Sequence, residues 1–150
     1  MPLTTFQATA QLQEGVQVKV TSRNFEIIVD EPKELGGNDT GMNPVELTLA
    51  ALGACQTIVA QVYAKKFDIT FDDLWIDVEG ELDTDGFLGK STVRPGYSNI
   101  RFNVYIATND AKEKVEKFVS FIEQTCPVAD TITNTVNVKL NEIIIEPVKH

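Results

Sequence analysis

Apolar and polar residues alternate from the start of the chain. Phe6, Ala8, Ala10 and Leu12 fall on one side of an extended segment, Gln13-Glu14-Gly15 turns it, and Val16, Val18 and Val20 return against Gln17, Lys19 and Thr21. A period of two on both sides of a turn predicts a hairpin. Phe25, Ile27 and Val29 supply a third strand, which stops at Asp30-Glu31-Pro32 because proline has no N–H to give a ladder. Lys33 to Met42, rich in Gly, Asn and Asp, reads as a surface loop.

The period then changes. Asn43 as N-cap, Pro44 at N1 and Glu46 at N3 open a helix that runs from Leu47 through about Lys66. Its first half is apolar nearly all round, so it needs cover on every side, and a second subunit is expected to provide part of it. Ile76, Val78 and Leu82 alternate with Asp77, Glu79 and Glu81, a strand with one wet face; Tyr97 to Ala107 repeats the pattern with Ile100, Phe102, Val104 and Ile106 inward. The segment from Leu82 to Gly96 joins them. Asp110 and Glu113 are expected to cap a second helix that packs through Val115, Phe118, Val119 and Ile122 and turns Lys114, Glu116 and Lys117 to water. A short third helix begins at Pro127, and Val136, Val138 and Leu140 make a last strand. The order β-β-β-α-β-β-α-α-β predicts an α+β fold with mainly antiparallel pairing, as one domain over residues 1–150.

Composition narrows the function. With 43% hydrophobic and 23% charged residues the chain is ordinary for a globular protein. A net charge of −9 with only three arginines argues against nucleic acid, whose phosphates need clustered Lys and Arg. The N-terminus has no basic start or continuous apolar core, and Thr48, Gln56, Thr57 and Gln61 interrupt the apolar run, so neither a signal peptide nor a membrane span is expected. Two cysteines do not make a secreted disulfide framework; a reducing cytoplasm is the expected compartment, and a working thiol becomes worth testing.

The cysteines occupy unlike settings. Cys55 lies midway along the long helix, where its plain reading is a small core hydrophobe and its chemical reading needs a positive or hydrogen-bonding neighbour. Cys126, followed by Pro127, reads as an N-cap among unpaired backbone N–H groups. As a pair they suit peroxide chemistry: one sulfur attacks an oxygen and becomes a sulfenic acid, and the other condenses with it. Arg23 is the candidate positive group, its plain reading an exposed strand-end arginine, while Glu46 belongs to the helix cap. Asp83-Thr84-Asp85-Gly86 has too few acidic ligands for a calcium loop, with Arg94 where the bidentate glutamate belongs, and reads as a turn. The lone His150 leaves no Ser-His-Asp triad and no His/Cys metal set, and no glycine-rich loop cradles phosphate; neither metal nor organic cofactor is expected.

The segment from Asp30 to Cys55, the Cys126-Pro127-Val128-Ala129-Asp130 motif and the stretch from Thr135 to Leu140 together resemble the OsmC/Ohr family, the osmotically inducible and organic hydroperoxide resistance proteins. The resemblance implies an intertwined homodimer of α+β subunits, with the cysteine-bearing helices central, the strands of both termini in shared sheets and the active sites between subunits. It also implies that Cys55 is the peroxidatic thiolate, that Cys126 resolves it to an intramolecular disulfide, and that a dithiol such as a lipoylated protein restores the enzyme. Arg23 is the nearest match to the family's activating arginine. The family's active-site glutamate, ten residues before the helix cysteine, is replaced here by Val45, with Glu46 one step on and turned away by about 100°. That departure resembles the YhfA-like branch, in which peroxidase activity is not assured.

Two functional readings follow. One is a cysteine-based reductase of apolar alkyl or lipid hydroperoxides, with Leu52, Ile58 and Val59 lining a pocket. The other is a non-enzymatic dimeric module that binds an apolar ligand or senses redox state, its activity weak or lost with the glutamate. Beside both stands a plain packing role for the two sulfurs.

Overall fold

The structure, a computed structural model, describes residues 2–149, so His150 lies outside the described residues. Strands β1 (Thr9–Leu12), β2 (Val18–Ser22) and β3 (Phe25–Val29) form an antiparallel sheet in that order, with Val20 between Ala10 and Ile27. β1 begins at Thr9 rather than Phe6, which stands exposed before any ladder partner.

β3 delivers Asp30 into a buried position. Its carboxylate accepts the N–H groups of Glu31 at 2.8 Å, Asn38 at 3.2 Å and Thr40 at 3.2 Å, and the Thr40 hydroxyl at 2.6 Å. One anion thereby folds the glycine-rich loop back on itself, satisfying backbone donors that the loop's shape leaves without a ladder. The close approach requires Gly37: a Cβ there would sit 1.9 Å from the Glu31 carbonyl oxygen.

Helix α1 (Pro44–Tyr63) starts with the expected reciprocal cap, Asn43 Oδ1 accepting the Glu46 N–H and Glu46 Oε1 accepting the Asn43 N–H, both at 2.9 Å. It ends a few residues earlier than its pattern suggested, and a 3-10 turn at Lys65–Phe67 carries the chain to Asp68. Among the described residues α1 alone is long and apolar enough to cross a bilayer, but Leu52, Gly53, Gln56, Val59 and Ala60 are buried in the protein.

That face packs on the long hairpin of β4 (Asp73–Leu82) and β5 (Tyr97–Ala107). Gly53 brings helix and sheet together, since a Cβ there would lie 3.2 Å from Val78 Cγ2. Between the two strands, α2 (Thr84–Phe87) is one turn capped by Asp83, whose carboxylate accepts the Asp85 N–H at 2.9 Å. The calcium-like fragment is therefore a capped turn.

Helices α3 (Lys112–Thr125) and α4 (Pro127–Thr133) close the core. Phe118 and Ile122 are fully buried, each contributing about 1.5–3 kcal/mol by removal from water. Tyr63, Phe67 and Phe121 meet edge-on or tilted beside them, with centroids 4.9 Å apart. On the outer sheet face Trp75 stacks on Tyr105 at 5.0 Å and 7°, and Arg101 pairs with Glu79 and Glu81.

Two expectations fail. Asp110 does not cap α3, whose N-cap is Ala111 without a side-chain bond; its carboxylate instead accepts the Thr70 N–H at 3.0 Å and meets Lys114 at 3.2 Å. Lys114 therefore leaves open water to tie α3 to the connection after α1. The strand expected at Val136, Val138 and Leu140 is also not formed. Those side chains are exposed, because alternation alone makes no strand without a neighbouring edge to pair with.

Candidate functional site

α1 and α4 bring the cysteines together. Cys126 is fully buried as the N-cap of α4, its sulfur accepting the Ala129 N–H at 3.3 Å, and Pro127 follows at N1. The sequence folds this way because proline's missing N–H costs nothing in a first turn. Cys55, half-buried, packs against the buried cluster that contains Cys126, as do Val128 and Ala129. Both are free thiols.

Burial pushes the Cys55 thiol above its ordinary value, the neighbouring Cys126 thiol pushes it further, and the Val128 N–H partly opposes them. These neighbours are close approaches rather than well-formed hydrogen bonds. No guanidinium is among the groups that set this thiol.

Arg23 stands elsewhere. It lies in the turn between β2 and β3 rather than at the start of β3, in left-handed backbone at φ 55°, with its guanidinium 4.8 Å from the ring centre of Phe25. Val45 is exposed, and its carbonyl accepts the Tyr97 hydroxyl at 2.7 Å, tying the first turn of α1 to β5. Burial raises the Tyr97 phenol, and the charge of Glu46 raises it further. Of the expected pocket residues, Leu52 and Val59 are buried, whereas Ile58 is exposed.

Sequence reasoning passed over Gln56, read only as an interruption in an apolar run. The structure buries it completely, and neither Nε2 nor Oε1 has a hydrogen-bond partner among the described residues. It lies beneath a cleft of about 470 Å³ between α1, β5 and α4, lined in equal part by apolar Leu52, Ile100, Phe102 and Ile132 and by polar Thr48, Ser98, Asn99 and Thr133. Arg94 and Tyr97 also line it. The available signal was a polar side chain at core spacing from Leu52 and Val59. Among the described residues no three His, Cys, Asp or Glu side chains converge as a metal site would require.

A sequence model described as OsmC-like protein matches residues 36–141. A relative from Mycoplasma genitalium named hydroperoxide reductase is 29% identical over 140 residues, covering 91% of this chain and 92% of that one. An OsmC-like protein from Mycoplasma pneumoniae superposes with a TM-score of 0.76 at 25% identity, over 87% of this chain and 88% of the other. An organic hydroperoxide resistance protein OsmC from Legionella pneumophila does so at 0.67 and 24%, over 93% and 96%. The antiparallel α+β architecture, the Cys-Pro cap and the matched span agree: this chain belongs to the OsmC-like protein family.

Proposed function

We propose that the protein is a thiol-dependent organic hydroperoxide reductase. Cys55 as thiolate attacks the terminal peroxide oxygen; an S–O bond forms, the O–O bond breaks, and the departing alkoxide takes a proton and leaves as the alcohol. Cys55 is then a sulfenic acid. The Cys126 sulfur attacks the Cys55 sulfur, the S–S bond forms, and the hydroxyl leaves as water with the proton of Cys126. An external dithiol, such as a lipoylated protein, reduces this disulfide and is itself oxidised to one. Neither metal nor organic cofactor enters the cycle.

The observation that carries this reading is the packing of part-buried Cys55 against the buried cluster that holds Cys126, whose thiol is among the groups that shift Cys55, in a chain whose family includes a relative named hydroperoxide reductase. Arg23 fits as the activating cation if a homodimer presents it from a second copy. An arginine at φ 55° occupies a turn position that Gly or Asn fills at lower cost, which suits a residue kept for its charge. Purified protein with cumene hydroperoxide and a dithiol should consume peroxide, and Cys55→Ser should reduce consumption to background; equal rates would remove the proposal.

Val45 and the raised Cys55 thiol favour a second reading, a dimeric module that binds an apolar ligand or senses redox state without turnover. Val45→Glu separates the two. A large gain in peroxide reduction points to a decayed site, and an active parent left unchanged by the substitution retains the first reading.

A further inference from the structure

Arg94 brings a positive charge to a cleft that has no negative one. The cleft of about 470 Å³ between α1, β5 and α4 falls within the span of roughly 300–1,000 Å³ usual for small-molecule sites. In a chain with 22 Asp and Glu residues and a net charge of −9, none of its lining residues is acidic. Among the described residues no carboxylate pairs with Arg94, whereas Arg101 is held by Glu79 and Glu81. Glu46, whose charge reaches Tyr97 on the cleft wall, is committed to the Asn43 N–H. The backbone of Arg94 is fixed on both sides: Pro95 follows it and keeps it out of the helical region, and a Cβ on Gly86 would lie 2.9 Å from its carbonyl oxygen. One guanidinium nitrogen folds back over the entry to β5, 3.6 Å from where a Cβ on Gly96 would sit. The hydroxyls of Thr48, Tyr97 and Ser98 already donate, to the carbonyls of Pro44, Val45 and Glu81. Arg94 is therefore the charged donor that a ligand in the cleft would meet.

We propose that this cleft is a binding site for a small carboxylate with a short hydrocarbon body, and that Arg94 selects it. The planar guanidinium matches a carboxylate through two parallel N–H···O bonds, while Ile100, Phe102 and Ile132 take the hydrocarbon. A phosphate monoester, with a second charge and a third acceptor oxygen, would meet no second basic side chain and no glycine-rich loop among the lining residues. An alcohol of the same length gains the apolar contacts but not the ion pair. The proposal goes beyond the peroxide reading and does not depend on it, since neither cysteine lines the cleft.

The native protein is titrated with hexanoate, hexanol and hexyl phosphate while the Arg94 Nε–H and the Ile100 and Ile132 methyl resonances are followed by NMR. Hexanoate should shift these resonances and bind about tenfold or more tightly than either competitor, less so as salt is added. Arg94→Gln should erase that preference, and Arg94→Lys, which keeps the charge but not the fork, should restore part of it. Cys55→Ser should bind hexanoate as the parent does, so a protein without peroxide turnover leaves the site standing. No binding of hexanoate at millimolar concentration, shifts that map away from the cleft, a preference that survives Arg94→Gln, or binding of hexanol or hexyl phosphate as tight as that of hexanoate overturns the proposal. So does a smaller species in sedimentation of Arg94→Gln than of the parent, because the guanidinium would then pair with a carboxylate of a second copy.

Discussion

The Ala129 N–H points at the Cys126 sulfur from 3.3 Å, so the first turn of α4 fixes the buried thiol while Cys55 approaches from α1. With Cys55 packed against the cluster that holds Cys126, a mild oxidant should link the two sulfurs within a chain. Mass spectrometry after one equivalent of peroxide should find the Cys55–Cys126 disulfide in the parent. In Cys126→Ser one equivalent should leave Cys55 as the sulfenic acid, trapped by dimedone, and a second equivalent should carry it to the sulfinic acid, because no second sulfur intercepts the sulfenic acid.

Cys55 should titrate high in the isolated chain. Burial and the Cys126 thiol both raise it, so alkylation by iodoacetamide should accelerate with a midpoint above pH 9.0. A group whose folded value is raised contributes stability below its unfolded value and loses it as pH rises through the folded value. Denaturant midpoints should therefore fall on the alkaline side in the parent and less so in Cys55→Ala. A midpoint for alkylation well below 9.0 would mean that a cation supplied from outside this chain reaches the sulfur.

Asp30 behaves in the opposite sense. The Thr40 hydroxyl, aided by the N–H groups of Glu31, Thr40 and Asn38, outweighs burial and holds its carboxyl below the ordinary 3.8. Its contribution is present above that value and is lost as pH falls through the folded one. Acid unfolding followed by circular dichroism should begin at higher pH in Thr40→Val than in the parent.

Gln56→Leu should stabilise the ligand-free protein by about 1–3 kcal/mol, since it removes a buried amide without partners. Phe118→Ala, at a fully buried position, should cost about 3–5 kcal/mol. Urea denaturation measures both, and opposite signs at two fully buried positions separate an unpartnered amide from a well-packed ring.

Local pattern revealed much of this molecule. The Asn43–Glu46 cap, the alternation in β4 and β5 and the Cys126-Pro127 start of α4 are all encoded within a few neighbouring residues, and each formed as expected. What the pattern missed depends on partners distant in the chain. Lys114 reads as a surface lysine until the connection after α1 places Asp68 beside it. Val136 to Leu140 alternates like a strand but meets no edge, and Gln56 gains its meaning only when β5 and α4 cover it. Arg23 reads as a strand residue, whereas its backbone turns left-handed at a hairpin tip.

The stacked Trp75 and Tyr105 rings have a practical consequence, because the chain contains a single tryptophan. Its fluorescence reports one place alone, the register of the two longest strands, so a change in emission during unfolding times their separation. In a protein whose thiol exchange gives no optical signal of its own, that indole is a built-in gauge.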